Sequence, residues 1–283
     1  MTITPILIGG LGNRLYQLAN ALRLQEIFNC NLKIFRINPK SKDVSDYRHL
    51  VLRASDFDDF GGHNILKKDG LPTTFSELFP TLNISDGLHN VDNILKDKKL
   101  FFENTINFII PGKDTVVMGY FFSYKFVSSQ IETIRNLLNP MVEEYVDITY
   151  PTLLSEKVLG IHLRLGIGTD NTPAINVPLT FYNNILNLEE NNFDSILIVS
   201  DNPEKAKNFI GGLNIDSSKF KIIKDEPMFV DMLILSKCST LIIAPSTLSA
   251  WSAYLNKHKN IYVPEIWVRH HWTNDIPKEW KIL

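Results

Sequence analysis

The chain has 283 residues, of which 29 are lysine or arginine and 31 are aspartate or glutamate, so its formal net charge is −2. A charged fraction of 21% and a hydrophobic fraction of 44% are those of a folded globular protein, and they exclude a disordered or collagen-like chain. A charge this close to neutral also argues against a general nucleic-acid binder, which usually carries a basic excess.

Cysteine spacing and hydropathy restrict the class of protein further. Cys30 and Cys238 fit no zinc-ligand spacing, so we expect two reduced thiols and no bound metal. The apolar run at residues 5–11 is far shorter than the roughly 20 residues that span a bilayer. We therefore expect a cytoplasmic protein with no integral membrane segment. Peripheral contact with a membrane that carries a lipid-linked glycan stays open.

The first half of the chain begins with a strand, a turn and a helix. An apolar strand is predicted at residues 6–8, a helix of 3.6-residue period at 14–28, and a second strand at 32–37, which together form a βαβ unit. Residues 38–112 show no sustained period and are interpreted as loops and short helices. A strand at 115–120 and a helix at 129–138 follow, and a domain boundary is predicted near residue 150.

The second half alternates regularly between apolar strands and helical segments. Strands are predicted at 158–163, 196–199, 220–223, 241–244 and 261–263, with helices at 178–190, 203–210, 228–237 and 247–257. This alternation predicts an α/β fold of two Rossmann-like, doubly wound domains, residues 1–150 and 151–265, that face each other across a cleft. We expect the C-terminal segment, residues 266–283, to pack back on the N-terminal domain.

Four stretches near the carboxyl ends of predicted strands could bind a ligand. The first is Gly-Gly-Leu-Gly-Asn-Arg at residues 9–14, where Gly10, Gly12, Asn13 and Arg14 could approach a phosphate at a helix N-terminus. Leu15 stands where a dinucleotide fingerprint would have its third glycine. A tight turn without a ligand is an equally good interpretation.

The second stretch, at residues 160–166, places His162 and Arg164 on the same face of a strand, close to its end. A guanidinium at a cleft suits a diphosphate, because it donates paired hydrogen bonds to the phosphate oxygens. The alternatives are a surface arginine paired with a carboxylate and a structural histidine. His270 and His271, in an aromatic segment, are interpreted as packing residues rather than metal ligands.

The third and fourth stretches follow two later strands. Asp201 could accept hydrogen bonds from a base or a ribose, although its position just before Pro203 favours a helix N-cap. Ser246, Thr247 and Ser249 open the last long helix, where hydroxyl groups and main-chain N–H groups together could hold a phosphate.

In this order and at these intervals, the four stretches resemble the alpha-1,2-fucosyltransferase family. They correspond to its Gly-Gly-Leu-Gly-Asn-Gln turn, its His-x-Arg-Arg-Gly-Asp motif, its Ser-Asp-Asp motif and its Asn-Ser-Thr-Phe-Ser-Trp-Trp helix start. The resemblance spans residues 6–267 and implies a GT-B fold and an inverting, metal-independent transfer of L-fucose from GDP-fucose to a glycan hydroxyl, with no other cofactor. The acceptor hydroxyl would be the 2-OH of a galactose-type residue.

The resemblance also implies roles for individual residues. Arg164 would bind the β-phosphate and stabilise the charge on departing GDP, while His162 and Asp201 would contact the guanine. Ser246, Thr247 and Ser249 would hold the diphosphate. The turn with Gly10, Gly12, Asn13 and Arg14 would act from the opposite domain, Asn13 reaching toward the sugar or phosphate.

The chain departs from the family pattern at two positions of the mid-chain motif, where Leu165 and Ile167 replace an arginine and an aspartate. These departures leave open a glycosyltransferase that uses another nucleotide sugar. An NADP-dependent oxidoreductase that binds its cofactor through the first turn and Arg36 is an alternative of another class. A non-catalytic glycan-binding protein is a further alternative.

Overall fold

The computed structural model describes residues 1–37, 68–89, 94, 99–102, 111–166, 175–190, 192–214, 216–270 and 275–283. The chain divides into two compact units. The first unit contains Met1–Ile65 and Pro72–Asn139, and the second contains Leu66–Leu71 and Pro140–Leu283. The main part of the second unit begins at Pro140, ahead of the predicted boundary near residue 150, because the helical segment from Pro140 packs with the second half of the chain.

The first unit contains a small parallel sheet. Its elements are β1 (Thr2–Pro5), α1 (Leu11–Phe28), β2 (Asn31–Leu32), β3 (Ile34–Ile37), α2 (Phe75–Leu78), β4 (Ile84–His89), β5 (Lys99–Phe102), β6 (Thr115–Met118), α3 (Tyr124–Val127), a 3₁₀ turn (Ser128–Gln130) and α4 (Ile131–Leu137). The sheet has the order β2-β1-β6-β5, and β3 pairs with β4 in a separate two-stranded sheet. All of these pairs are parallel.

Two sequence predictions in this unit differ from the structure. The first strand ends at Pro5, before the predicted range 6–8, because the main chain of Ile8 is bonded by the side-chain amide of Gln17 and not by a neighbouring strand. The single strand predicted at 32–37 is two strands, β2 and β3, which belong to different sheets. The predicted βαβ unit and its helix are present.

The second unit is built around a six-stranded parallel sheet. Its elements are α5 (Pro140–Thr149), α6 (Thr152–Ser155), β7 (Val158–Leu163), α7 (Leu179–Glu189), β8 (Ser195–Ser200), α8 (Pro203–Ile210), a 3₁₀ turn (Ser217–Lys219), β9 (Phe220–Ile222), α9 (Met228–Lys237), β10 (Thr240–Ile242), α10 (Thr247–Leu255), β11 (Asn260–Val263), α11 (Glu265–His270) and β12 (Lys281–Ile282). The strand order is β12-β11-β10-β7-β8-β9.

This order makes the second sheet doubly wound. From β7 the chain moves outward through β8 to β9 and then returns to the other side of β7 as β10. Strands of this kind are buried on both faces, and all six residues of β7 are buried. The α/β class and the parallel sheets predicted from the sequence are confirmed, and the strands and helices predicted between residues 158 and 263 are all present with nearly the same bounds.

The described residues of the chain end belong to the second unit. That residues 266–283 also pack on the N-terminal domain stays a prediction. β12 pairs with β11 in the second sheet, and Trp280 stacks on Tyr254 with their ring centroids 5.1 Å apart. No sequence pattern indicates β12, because a strand of two residues is too short to show a hydrophobic period. Residues 271–274, which include His271, lie outside the described part of the chain.

Candidate functional site

The candidate site lies at the carboxyl edge of the second sheet. In doubly wound sheets, ligands bind outside the carboxyl ends of the strands at the point where the winding reverses. Here that point lies between β7 and β10. Arg164 directly follows β7, Asp201 follows the neighbouring strand β8, and Ser246 opens the helix after β10. The fold therefore brings three of the four predicted stretches to one edge.

Arg164 and Asp201 form the centre of the site. Leu163 and Ser200 are the last paired residues of β7 and β8, so the next residue of each strand emerges beside the other. The Arg164 Nη1 atom is 2.9 Å from Asp201 Oδ2, and about four fifths of each side chain is buried. The arginine is thus paired with a carboxylate, one of the two interpretations that the sequence left open.

Asp201 also binds the main chain of the turn that follows β7. Its Oδ1 accepts hydrogen bonds from Leu165 N at 2.8 Å and Gly166 N at 3.1 Å, and Oδ2 accepts from Gly166 N at 3.0 Å. A Cβ atom at position 166 would overlap Oδ2, so only glycine permits this approach. Asp201 therefore fixes both the guanidinium and the turn. Ile167, the next residue of the motif, lies outside the described residues.

The prediction that Asp201 caps a helix is wrong. The N-cap of α8 is Asn202, whose Oδ1 accepts a hydrogen bond from Lys205 N at 3.0 Å, with Pro203 as the first helical residue. Pro203 is the first residue of the helix, so the cap is Asn202 and not Asp201. Asp201 instead binds the residues that follow β7.

His162 is buried beside this pair, with 3% of its surface exposed. Burial, with a smaller contribution from the Arg164 charge, lowers the pKa of His162 to about 4, although the Asp201 carboxylate acts in the opposite direction. The imidazole is therefore neutral near pH 7. Within the described part of the chain, its buried Nδ1 has no hydrogen-bond partner.

The hydroxyl groups at the start of α10 have different environments. Ser246 is the N-cap residue and is half-buried, and its hydroxyl makes no capping bond within the described residues. Thr247, the first residue of the helix, is also half-buried. Ser249 is fully buried, and its Oγ accepts a hydrogen bond from Ala244 N at 3.0 Å. The structure thus does not support Ser249 as a phosphate ligand, because its hydroxyl is fully buried and already accepts from Ala244 N, two residues after β10.

The glycine-rich turn belongs to the first unit. Gly9, at φ +78°, is the residue that needs glycine, since a Cβ there would lie 2.5 Å from Asn13 Nδ2. Gly10 is the N-cap of α1 with an ordinary φ of −67°, and Gly12 is buried in the first turn of the helix. Arg14 is 5% exposed, and its Nε donates to Gly9 O at 2.8 Å. Arg14 therefore stabilises the turn itself.

Two further groups at the carboxyl edge of the second sheet were not predicted from the sequence. The Lys205 ammonium, in the first turn of α8, donates to Leu165 O at 3.3 Å. Farther along this edge, after β9, Glu226 forms an ion pair with Lys68 at 2.6 Å and accepts hydrogen bonds from Tyr145 and Tyr150. No local pattern predicts this buried network, because its members are far apart in the chain.

The Glu226 network alters the titration of its neighbours. Burial, reinforced by the hydrogen bond to Glu226, raises the pKa of Tyr150. Burial and the Glu226 charge raise the pKa of Asp231, in the first turn of α9, well above its usual value. Lys68 loses some charge stabilisation by burial, but its bonds to Glu226 and Tyr145 outweigh this loss and raise its pKa.

A groove of about 840 Å³ opens at the opposite, amino edge of the second sheet, beside Lys157, Thr240 and Asn260. None of the predicted site residues lines it. Among the described residues, no three histidine, cysteine, aspartate or glutamate side chains come together as metal ligands would. No described helix is both long enough and apolar enough to cross a bilayer.

Comparison with known proteins gives one relative along nearly the whole chain. The O-antigen biosynthesis glycosyltransferase WbnK of Escherichia coli is 25% identical over an alignment of 303 residues, which covers 92% of this chain and 93% of WbnK. No protein-family profile matches the sequence.

Several solved fucosyltransferase structures superpose on most of this chain. NodZ from Bradyrhizobium superposes with a TM-score of 0.49 at 12% identity, over 89% of this chain and 90% of NodZ. A point mutant of Arabidopsis thaliana FUT1 in complex with GDP gives 0.49 at 16% identity, over 93% and 69% of the two chains. POFUT1 in complex with GDP gives 0.49 at 10% identity, over 91% and 95%. The fold assignment itself rests on the strand order of this chain.

Proposed function

We propose that the protein is an inverting glycosyltransferase of the GT-B type that transfers L-fucose from GDP-fucose to a glycan hydroxyl, the 2-OH of a galactose-type residue. The observation that carries the proposal is the Arg164–Asp201 ion pair at the carboxyl edge of the second sheet. It lies next to the reversal point, and the hydroxyl-rich start of α10 follows the strand on the other side of that point. The relation to an O-antigen glycosyltransferase supports it. In this proposal the second unit binds the donor, and the first unit serves the acceptor.

Charge stabilisation would be the main catalytic contribution. When the glycosidic bond to GDP breaks, negative charge develops on the β-phosphate, and the Arg164 guanidinium, which Asp201 holds in place, would stabilise that charge. A preorganised donor of this kind contributes about 2.7–4 kcal/mol to lowering a barrier. Ser246, Thr247 and the N-terminus of α10 would bind the diphosphate, so that transfer needs no metal ion or other cofactor.

Base recognition would fall to His162, which is neutral and keeps an unpartnered nitrogen among the described residues. Asp201 is better suited to hold Arg164 than to bind guanine, because its oxygens already accept three hydrogen bonds in addition to the ion pair. From the first unit, Asn13 would reach toward the sugar or phosphate, on the turn that Gly10, Gly12 and Arg14 form.

Donor binding and turnover test the proposal. Thermal unfolding of the purified protein should shift upward with GDP and GDP-fucose, and GDP should be released when a galactose-terminated acceptor is added. Arg164→Ala should remove most of the turnover without loss of fold, while Arg135→Ala, on α4 of the first unit, should retain it. No shift with GDP, beside a clear shift with UDP or dTDP, would refute the GDP assignment.

A second donor is favoured by one observation, the uncharged Leu165 side chain beside Arg164. A panel of nucleotide sugars in the same thermal measurement discriminates between GDP-fucose and another donor. If a different nucleotide sugar gives the largest shift and the fastest release of its nucleotide, the fold and the role of Arg164 remain, and the sugar is reassigned.

A further inference from the structure

The turn after β7 has a charge balance that a bound diphosphate would have to meet. Arg164 carries one positive charge and Asp201 one negative charge, and the two groups are 2.9 Å apart and largely buried. The pair as a whole is therefore close to neutral. A diphosphate carries at least two negative charges, and it binds well only where cationic groups exceed anionic ones.

Lys205 supplies a further positive charge at this turn. Its Nζ lies 3.3 Å from the carbonyl oxygen of Leu165, the residue after Arg164. Within the described part of the chain, no carboxylate pairs with Lys205. By contrast, Lys207 and Lys224 both face Glu204, at 3.0 and 4.0 Å. Lys205 is thus a cation whose charge no described side chain balances, held against the turn by a single carbonyl.

The helix that carries Lys205 fixes its position. Asn202 caps α8 through Lys205 N, and Pro203 sets the helix start, so the main chain at 205 is anchored next to Asp201. The side chain itself is exposed and long, and its contact with a neutral carbonyl is weaker than a charge-assisted bond to a phosphate oxygen. An anion at Arg164 could therefore draw the ammonium from Leu165 O without moving the helix.

We propose that Lys205 binds the diphosphate group of the nucleotide donor and provides the net positive charge that the Arg164–Asp201 pair lacks. This inference rests on the proposed function, because it concerns the donor site of a glycosyltransferase. It assigns the second cation of that site to α8 and not to the strand-end motif, where position 165 is an uncharged leucine.

Calorimetric titration of the full chain with GDP and with guanosine tests this role, since guanosine lacks the diphosphate. Lys205→Gln should weaken GDP binding about tenfold, which corresponds to about 1.4 kcal/mol, and leave guanosine binding unchanged. The loss should shrink at high salt, because Lys205 is exposed to solvent and salt weakens interactions between exposed charges. Lys205→Arg should restore most of the GDP affinity.

Lys207→Gln is the matched control. Lys207 lies on the same helix but is paired with Glu204, so this variant should bind GDP as the unsubstituted protein does.

Each other outcome overturns the inference. Unchanged GDP binding in Lys205→Gln would remove Lys205 from the site, and an equal loss for GDP and guanosine would show a general disturbance. An equal loss of GDP affinity in Lys207→Gln would show that the effect comes from the overall charge of the protein and not from Lys205 in particular. If the unsubstituted protein binds no GDP, the proposed function fails as well, which separates that failure from a failure of Lys205 alone. Thermal unfolding of each variant confirms that the exposed substitutions leave the fold intact.

Discussion

The Asp201 carboxylate is 2.9 Å from the Arg164 guanidinium and at the same time accepts hydrogen bonds from the main-chain N–H groups of Leu165 and Gly166. A single side chain thus links the carboxyl ends of β7 and β8. Because β7 borders the reversal point between β7 and β10, this link fixes one side of the edge where a ligand would bind.

Replacement of Asp201 by asparagine should weaken this link. The amide oxygen can still accept from one N–H group, but the charge that pairs with Arg164 is lost. We expect the free energy of unfolding in urea to fall by about 1 kcal/mol, a value reduced by the partial exposure of both side chains. Asp225→Asn is the control, because Asp225 has a left-handed φ of 58° that asparagine also adopts readily. Equal stability of both variants would contradict the structural role of Asp201.

Gly166→Ala should separate Asp201 from the turn. A methyl group at position 166 would overlap the carboxylate oxygen, so the Asp201 side chain or the main chain must move. We expect a loss of about 1–3 kcal/mol in unfolding free energy. Gly211→Ala provides the comparison, since a Cβ there lies 3.4 Å from its nearest neighbour, Asn208 O. A Gly166→Ala protein as stable as Gly211→Ala would show that the contact is not tight.

Ser249→Ala should lower the stability of the fold, whereas Ser246→Ala should weaken GDP binding. Loss of the Ser249 hydroxyl leaves the buried Ala244 N–H group without its acceptor, which costs about 1–3 kcal/mol in denaturant unfolding. Ser246→Ala should change stability little, because its hydroxyl makes no capping bond to α10. It should instead weaken GDP binding. Should Ser249→Ala leave stability unchanged and abolish GDP binding, the assignment of Ser249 as a structural residue would be wrong.

His162 should make stability depend on pH in a defined window. Its pKa is about 4 in the folded protein and about 6.5 in the unfolded chain, so between these values only the unfolded chain takes up the proton. Above about pH 6.5 the imidazole is neutral in both states, and the free energy of unfolding does not change with pH through this histidine. As the pH falls to 4, that free energy should decrease by about 3 kcal/mol.

The measurement compares urea unfolding at pH 7, 5.5 and 4.5. His162→Gln should show a flatter decline than the unsubstituted protein, because glutamine does not titrate. His258→Gln, which alters an exposed histidine, should follow the unsubstituted protein. Parallel curves for all three proteins would mean that His162 titrates normally in the fold.

Local sequence patterns predicted the second unit well. Its strands are continuous apolar runs, and residues such as Pro203 and Pro227 mark the helix starts. Hydrophobic periodicity and helix-start residues are therefore sufficient to predict its elements. The same patterns failed at residues 6–8, where the main chain of Ile8 binds the Gln17 side-chain amide instead of a neighbouring strand. They failed also at Asp201, where a neighbouring asparagine provides the cap.

The sequence by itself determined the α/β class, the parallel strands and the four stretches that could bind a ligand, because these follow from local periodicity and residue type. Only the tertiary structure decided what the side chains in those stretches do. Asp201 binds Arg164, the buried Ser249 hydroxyl accepts from Ala244 N, and Lys205 donates to Leu165 O. These contacts depend on strand register and helix position, which join residues far apart in the chain and therefore leave no local signal.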